Sequence, residues 1–228
     1  MARTDTLGHF LSDVAAAIRT AEGSSEAISA NTFDIRIEAL SGGSSSYAPS
    51  YISFANFSGS DLSYEVENLD TSNMTSMFDM FSMCSSLYQL DLSNFNTSSV
   101  IYMSNMFAAC QELSSVDLSS FDTSSTEVMD YMFQDCYNLT SLDLSNFDTT
   151  SLVGTQGMFS GCSGLTFIDI RGFDFENIQD YVDMFSGVNT NCEIIVADGN
   201  AKDWMTNNFP EMENVKTVEE YEEEQGLI

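Results

Sequence analysis

A Met-Phe-x-x-Cys motif recurs at an unvarying interval, with its cysteines at Cys84, Cys110, Cys136 and Cys162, each 26 residues after the last. Met184-Phe185 keeps the beat once more, with Val188 where a cysteine would stand. Two further elements share the period. One is Leu90-Asp91-Leu92, Val116-Asp117-Leu118, Leu142-Asp143-Leu144 and Ile168-Asp169-Ile170. The other is Phe95-Asn96-Thr97, Phe121-Asp122-Thr123, Phe147-Asp148-Thr149 and Phe173-Asp174-Phe175. Tyr64-Glu65-Val66 lies one step before the array and Ile194-Ile195-Val196 one step after it. Self-similarity at a period of about 20 to 50 residues predicts a solenoid, because a unit this small buries its apolar face only against its neighbour.

Each unit has two halves with different periodicities. Val116-Asp117-Leu118 alternates apolar, polar and apolar, as a strand does with two side chains inward and one outward. Strands are therefore predicted near 64–66, 90–92, 116–118, 142–144, 168–170 and 194–196. In the other half, Val100, Met103, Met106 and Phe107 fall at helical spacing behind Asn96, Thr97 and Ser98, which are good N-cap types. That pattern predicts a short helix in each crossover, ending near the Met-Phe pair. The fold class expected is α/β, a leucine-rich-repeat solenoid of short parallel strands plus helices, preceded by a helical hairpin.

These motifs together, F-D-T-S, M-x-x-M-F-x-x-C and L-x-x-L-D-L-S-x-F, resemble the BspA-like leucine-rich repeat of bacterial surface proteins, also seen in phage-encoded ones. The resemblance spans roughly Ile52 to Val196. Thr155 departs from the Met of Met77, Met103 and Met129, and Phe175 replaces Thr in the last Phe-Asp-Thr. Both changes suggest units turning into a cap.

Equivalent positions of such an array stack about 5 Å apart. Cys84, Cys110, Cys136 and Cys162 should then form a buried column beside Phe81, Phe107, Phe133, Phe159 and Phe185, because a free cysteine packs as a small apolar residue. A metal site would need convergent His and Cys pairs, and the only histidine is His9. Cys192, off the ladder, is the candidate for an exposed or oddly placed thiol. Glu65, Asp91, Asp117, Asp143 and Asp169 occupy the outward strand position as like charges, each neighbouring pair repelling by about 0.8 kcal/mol in water. They read either as a solvated acidic face or as a ligand-binding stripe.

The chain has 6 Lys plus Arg against 35 Asp plus Glu, a formal net charge of -29. Such a field repels phosphate backbones, so neither nucleic acid nor an anionic membrane surface is an expected partner. The expectation is a non-enzymatic protein without cofactor or metal: the sequence offers no Ser-His-Asp set, phosphate loop or nucleotide fingerprint.

Residues 1–40 read as a helical attachment and oligomerisation module. Leu7, Phe10, Leu11, Val14 and Ile18 share one amphipathic face, and Phe33, Ile37 and Leu40 another. The charged residues between them argue against a signal peptide or membrane span. A Gly/Ser-rich linker follows at 41–50, the repeats occupy 51–197, and 198–228 form a cap and acidic tail using Trp204, Phe209 and Val215. Residues 3–19 with 33–40 also resemble the N-terminal module of tail-associated structural proteins of phages of Gram-positive hosts. That likeness implies a virion protein, assembled in the host cytoplasm and released by lysis. Its expected partners are other virion proteins, further copies of itself, with a trimer preferred, and a host-surface glycan or protein. The alternative is a bacterial cell-surface adhesin of the BspA-like kind.

Overall fold

The computed structural model describes residues 52–228 apart from residues 60, 63–65, 67 and 68. The expected helical hairpin, the linker and Glu65 lie outside the described residues.

The described residues form a mixed α/β structure with a small parallel sheet. Its strands are β1 (Ser141–Asp143), β2 (Phe167–Asp169), β3 (Glu193–Val196) and β4 (Val215–Thr217), hydrogen-bonded in that order. The helices α1 (Gly199–Asn208) and α2 (Val218–Gln225) flank β4. The 26-residue period is the register of the structure: Leu142 pairs with Ile168 and Ile168 with Ile194. On the opposite side, single parallel bridges join Ser76, Tyr102, Val128, Gly154 and Asp180 in succession.

The predicted strands at 90–92 and 116–118 are not formed. Ser114-Ser115-Val116 has little β-branched content, whereas Ile168 and Ile170 face Ile194, Ile195 and Val196 in a sheet that β4 extends. Strand preference follows β-branched packing against same-face neighbours; β1 has no β-branched residue of its own and pairs only against β2, so regular pairing begins at Ser141, where Ile168 and Ile170 supply that packing. β4 itself was not anticipated.

The predicted crossover helices are also absent; these segments are chains of tight turns. In each unit two residues four apart take positive φ: Asp79 and Met83, Asn105 and Ala109, Tyr131 and Asp135, Gly157 and Gly161, Asp183 and Gly187. A left-handed residue every fourth position breaks a right-handed helix. Alternate amides then point in two directions. Met106, Ala108 and Cys110 donate three residues back, to Met103, Asn105 and Phe107. The amides of Met103, Asn105, Phe107 and Ala109 donate to Val128, Asp130, Met132 and Gln134 of the next unit, at 2.9, 2.9, 2.8 and 2.7 Å. Each left-handed L-residue costs about 1–2 kcal/mol, and each net hydrogen bond contributes about 0.5–1.5 kcal/mol. The four inter-unit bonds roughly offset the two strained residues, and apolar burial decides the balance.

That burial is columnar. Phe54, Phe81, Phe107, Phe133, Phe159 and Phe185 stack with centroids 5.3–6.0 Å apart. Met80, Met106, Met132, Met158 and Met184 are fully buried beside them, and each buried side chain of this size contributes about 1.5–3 kcal/mol. Phe209 meets the last ring, Phe185, edge-on at 5.0 Å, and Trp204 stacks on Phe175 at 4.4 Å. Val215 pairs β4 to Ile194. Helix α1 is N-capped by Asp198, whose carboxylate accepts from the backbone N–H groups of Asn200 and Ala201. A reciprocal Thr217–Glu220 capping box opens α2, and Gly226, at φ 70°, closes it.

Candidate functional site

The aspartate column is built by the turn that follows each strand position. The carboxylates of Asp91, Asp117, Asp143 and Asp169 each accept the backbone N–H two residues on, from Ser93, Ser119, Ser145 and Arg171, at 2.9–3.1 Å. These are Asx turns, in which a short acidic side chain substitutes for a backbone carbonyl. The backbone N–H and hydroxyl of Ser93 and Ser119 hold the Asp91 and Asp117 carboxyls below the ordinary carboxylate value, and the opposing charge of Asp117 on Asp91 is a smaller effect. Asp91, Asp117 and Asp143 are exposed on one side of the stack. Asp169 departs from the expected outward row: it is 5% exposed and bound by the Arg171 guanidinium through both carboxylate oxygens at 2.7–3.0 Å. The first arginine since Arg36 thereby ends the like-charge column.

The Phe-Asp-Thr element has a parallel construction. Asp122 and Asp148 accept from the backbone and hydroxyl of Ser124 and Thr150. The threonine beside them joins units. Thr97 Oγ1 donates to the Asp122 carbonyl and accepts the Asp122 N–H, both at 2.8 Å. Thr71 and Thr149 repeat that exchange with Asn96 and Asp174. Phe175 breaks the motif and turns its ring to Trp204 instead.

The cysteine column is fully buried, and each thiol donates to the carbonyl of the phenylalanine one unit back: Cys84 to Phe54, Cys110 to Phe81, Cys136 to Phe107, Cys162 to Phe133, at 2.9–3.3 Å. Hydrogen bonding to the neighbouring thiol, together with burial, pushes the Cys110 and Cys136 thiols well up. Reactive cysteines need the opposite, a stabilised thiolate; hydrogen bonding from the Cys110 thiol lowers Cys84, the first thiol of the column, against its burial. Cys192 corrects an expectation: it is buried, and burial pushes its thiol up to about 12. All five are free thiols. Among the described residues, no His, Cys, Asp or Glu cluster is placed to hold a metal ion, and no helix is long and apolar enough to cross a membrane.

Charge is divided unevenly. No Lys or Arg occurs between Arg36 and Arg171. The three later ones each reach an acid of α2: Arg171 to Glu222 at 3.9 Å, Lys202 to Glu220 at 2.6 Å, and Lys216 to Glu224 and to Glu193, the latter at 2.7 Å. The acidic tail is thus held over the end of the sheet, and the repeat surface before it is left anionic.

Sequence reasoning missed a groove on the turn side. A cavity of about 440 Å³ runs across four successive units and is lined by Ser53, Asn56, Asp79, Ser82, Asn105, Gln134 and Asp135, with Met83, Ala108 and Ala109 between them. Burial raises the Asp79 carboxyl above its ordinary value, against a weaker opposing hydrogen bond from Asn105. The visible signal was the Asp, Asn and Gly content of the positive-φ positions, which marks turns rather than helix.

Fold and surface together define a 26-residue repeat protein of mixed α/β class. The chain belongs to the family described as Mycoplasma protein of unknown function, DUF285, which matches residues 52–163 and again 115–196. No curated protein and no solved structure matches it.

Proposed function

We propose that this is a non-enzymatic recognition protein: a BspA-like leucine-rich-repeat solenoid whose rigid anionic surface meets a host cell, carried on a phage particle by residues 1–40. The observation that supports it best is the unbroken 26-residue register, from Ser76 to Asp180 on one side and into β3 on the other. Inter-unit bonds at each step make a long, stiff platform with side chains at fixed intervals, which suits binding by surface complementarity. The attachment role rests on the amphipathic pattern of Leu7, Phe10, Leu11, Val14 and Ile18 with Phe33, Ile37 and Leu40. Self-association through these faces would give a multimer, with a trimer preferred.

A second reading, a cell-surface adhesin or interaction module of a bacterium, is favoured by the family's description as mycoplasmal. Mass spectrometry of purified virions separates the two. The protein is expected among the particle components, and its recovery from host envelopes alone contradicts the virion reading. For the platform, changing Asp117 and Asp143 together to Asn keeps an oxygen that accepts the Ser119 and Ser145 amides while removing two charges. Weaker attachment to host cells, with the fold and its cooperative melting kept, is expected. Undiminished attachment would show that the aspartate row is structural.

A further inference from the structure

We infer that the turn-side groove is a second binding site, for a neutral, β-linked oligosaccharide, a reading that rests on the recognition role above and adds to it a ligand on a different face from the aspartate row. Four observations carry it. First, its volume of about 440 Å³ lies within the range of about 300–1,000 Å³ typical of small-ligand sites.

Second, its lining is amide, hydroxyl and carboxylate rather than predominantly apolar. Asn56, Asn105 and Gln134 supply both donors and acceptors, Asp79 and Asp135 supply acceptors, and Ser53 and Ser82 supply hydroxyls. This mixture matches the vicinal hydroxyls of a sugar, each of which donates and accepts. The carboxylates exclude phosphate, sulfate and uronate ligands by like-charge repulsion. Met83, 59% exposed, and Ala109 offer apolar contact for the C–H face of a ring.

Third, the groove is periodic. Asn56, then Asp79 with Met83, Asn105 with Ala109, and Gln134 with Asp135 come from four consecutive units, and units advance by about 4.8 Å. A β-1,4-linked hexopyranose chain advances by a closely similar length per ring. Alternate rings are flipped about the chain axis, so the two edges of the chain meet successive sets of polar groups in turn, whereas an α-1,4-linked chain curves away.

Fourth, the groove has an end. The Tyr131 ring lies over Gly157, where a Cβ would come within 2.5 Å of it, and the Asp135 carboxylate lies over Gly161 within 2.3 Å of the corresponding point. These side chains of the fourth unit cover the two glycines of the next, which bounds the groove there.

The test titrates full-length protein with chitotriose, cellotriose and, as the curved control, maltotriose, read by saturation-transfer NMR and calorimetry. Asp79 and Asn105 both have φ 56°, so Asp79→Gly with Asn105→Gly keeps the backbone while removing both polar groups. Gln134→Ala is a second variant, in case the first loses its melting transition. The expected result is binding of at least one β-linked trisaccharide, weakened at least tenfold by the double change and measurably by Gln134→Ala, with maltotriose weaker in the parent. Failure of both β-linked sugars to bind, or binding unchanged in variants that melt like the parent, overturns the groove assignment. Host-cell attachment by the parent, measured alongside, keeps that failure distinct: attachment without sugar binding leaves the recognition role standing, and loss of both removes it.

Discussion

The strand side and the turn side of each unit hold the stack together by different means, and the turn side buries more: Val100, Met103, Met106, Phe107 and Cys110 in one unit, against Leu113, Leu118 and Phe121. On the strand side, regular pairing begins only at Ser141, and backbone amides 114–118 make no hydrogen bond among the described residues. On the turn side, the units from Met77 to Gly161 each send four amides to the next unit, over a continuous column of phenylalanine rings. The two sides also treat carboxylates oppositely. Strand-side Asp91 and Asp117 are exposed and held low by serine, whereas turn-side Asp79 and Asp130 are raised by burial. In a small repeating unit, then, the half that looks most like conventional secondary structure need not carry the cohesion.

The largest effect should come from removing residues 198–228, which strips β4 from β3 and uncovers both Phe175 and Phe185. Loss of cooperative melting, with aggregation, is expected; an unchanged melting curve would deny the closing role of this segment. Next in size is Phe107→Ala against Val116→Ala. Phe107 is fully buried between Phe81 and Phe133, and its truncation should cost about 3–5 kcal/mol. Val116 is half-buried on the strand side and should cost about 1 kcal/mol or less. Denaturant midpoints of the two variants measure the contrast, and equal losses would erase it.

A smaller effect separates the carboxylates by pH. Asp91 and Asp117, depressed in the folded state, add stability that is present above the ordinary value of 3.8 and lost as pH falls through their lower folded values. Asp79 and Asp130, raised in the folded state, do the reverse: their contribution is complete below 3.8 and fades as pH rises through their higher folded values. Carboxyl carbon shifts followed by NMR should place the strand-side pair below 3.8 and the turn-side pair above it. A shared midpoint would remove the distinction.

How far the sequence could be read follows the same division. The unit length, the columns of Cys, Met and Phe, and the alternation around Asp143 and Asp169 were legible because burial imposes a strict period on residue type. The helix at 97–107 was misread because apolar spacing of three and four also arises from consecutive tight turns when every fourth residue turns left-handed. Gly157, Gly161 and Asn105 signalled this, but Met83, Ala109 and Tyr131 occupy the same positions at φ 58–60° and masked it. The strands at 90–92 and 116–118 failed for a different reason: period-two alternation places side chains but does not guarantee backbone pairing. The groove was illegible because its wall comes from residues that are adjacent only through the 26-residue step.

Native-state amide hydrogen exchange tests the central claim most directly. If the turn side holds the stack, the amides of Met103, Asn105, Phe107 and Ala109, all bonded to the following unit, should exchange only through global unfolding. Those of residues 114–118 should exchange orders of magnitude faster. Equal protection of the two segments, or faster exchange at Asn105 and Phe107 than at Val116 and Asp117, would contradict the account.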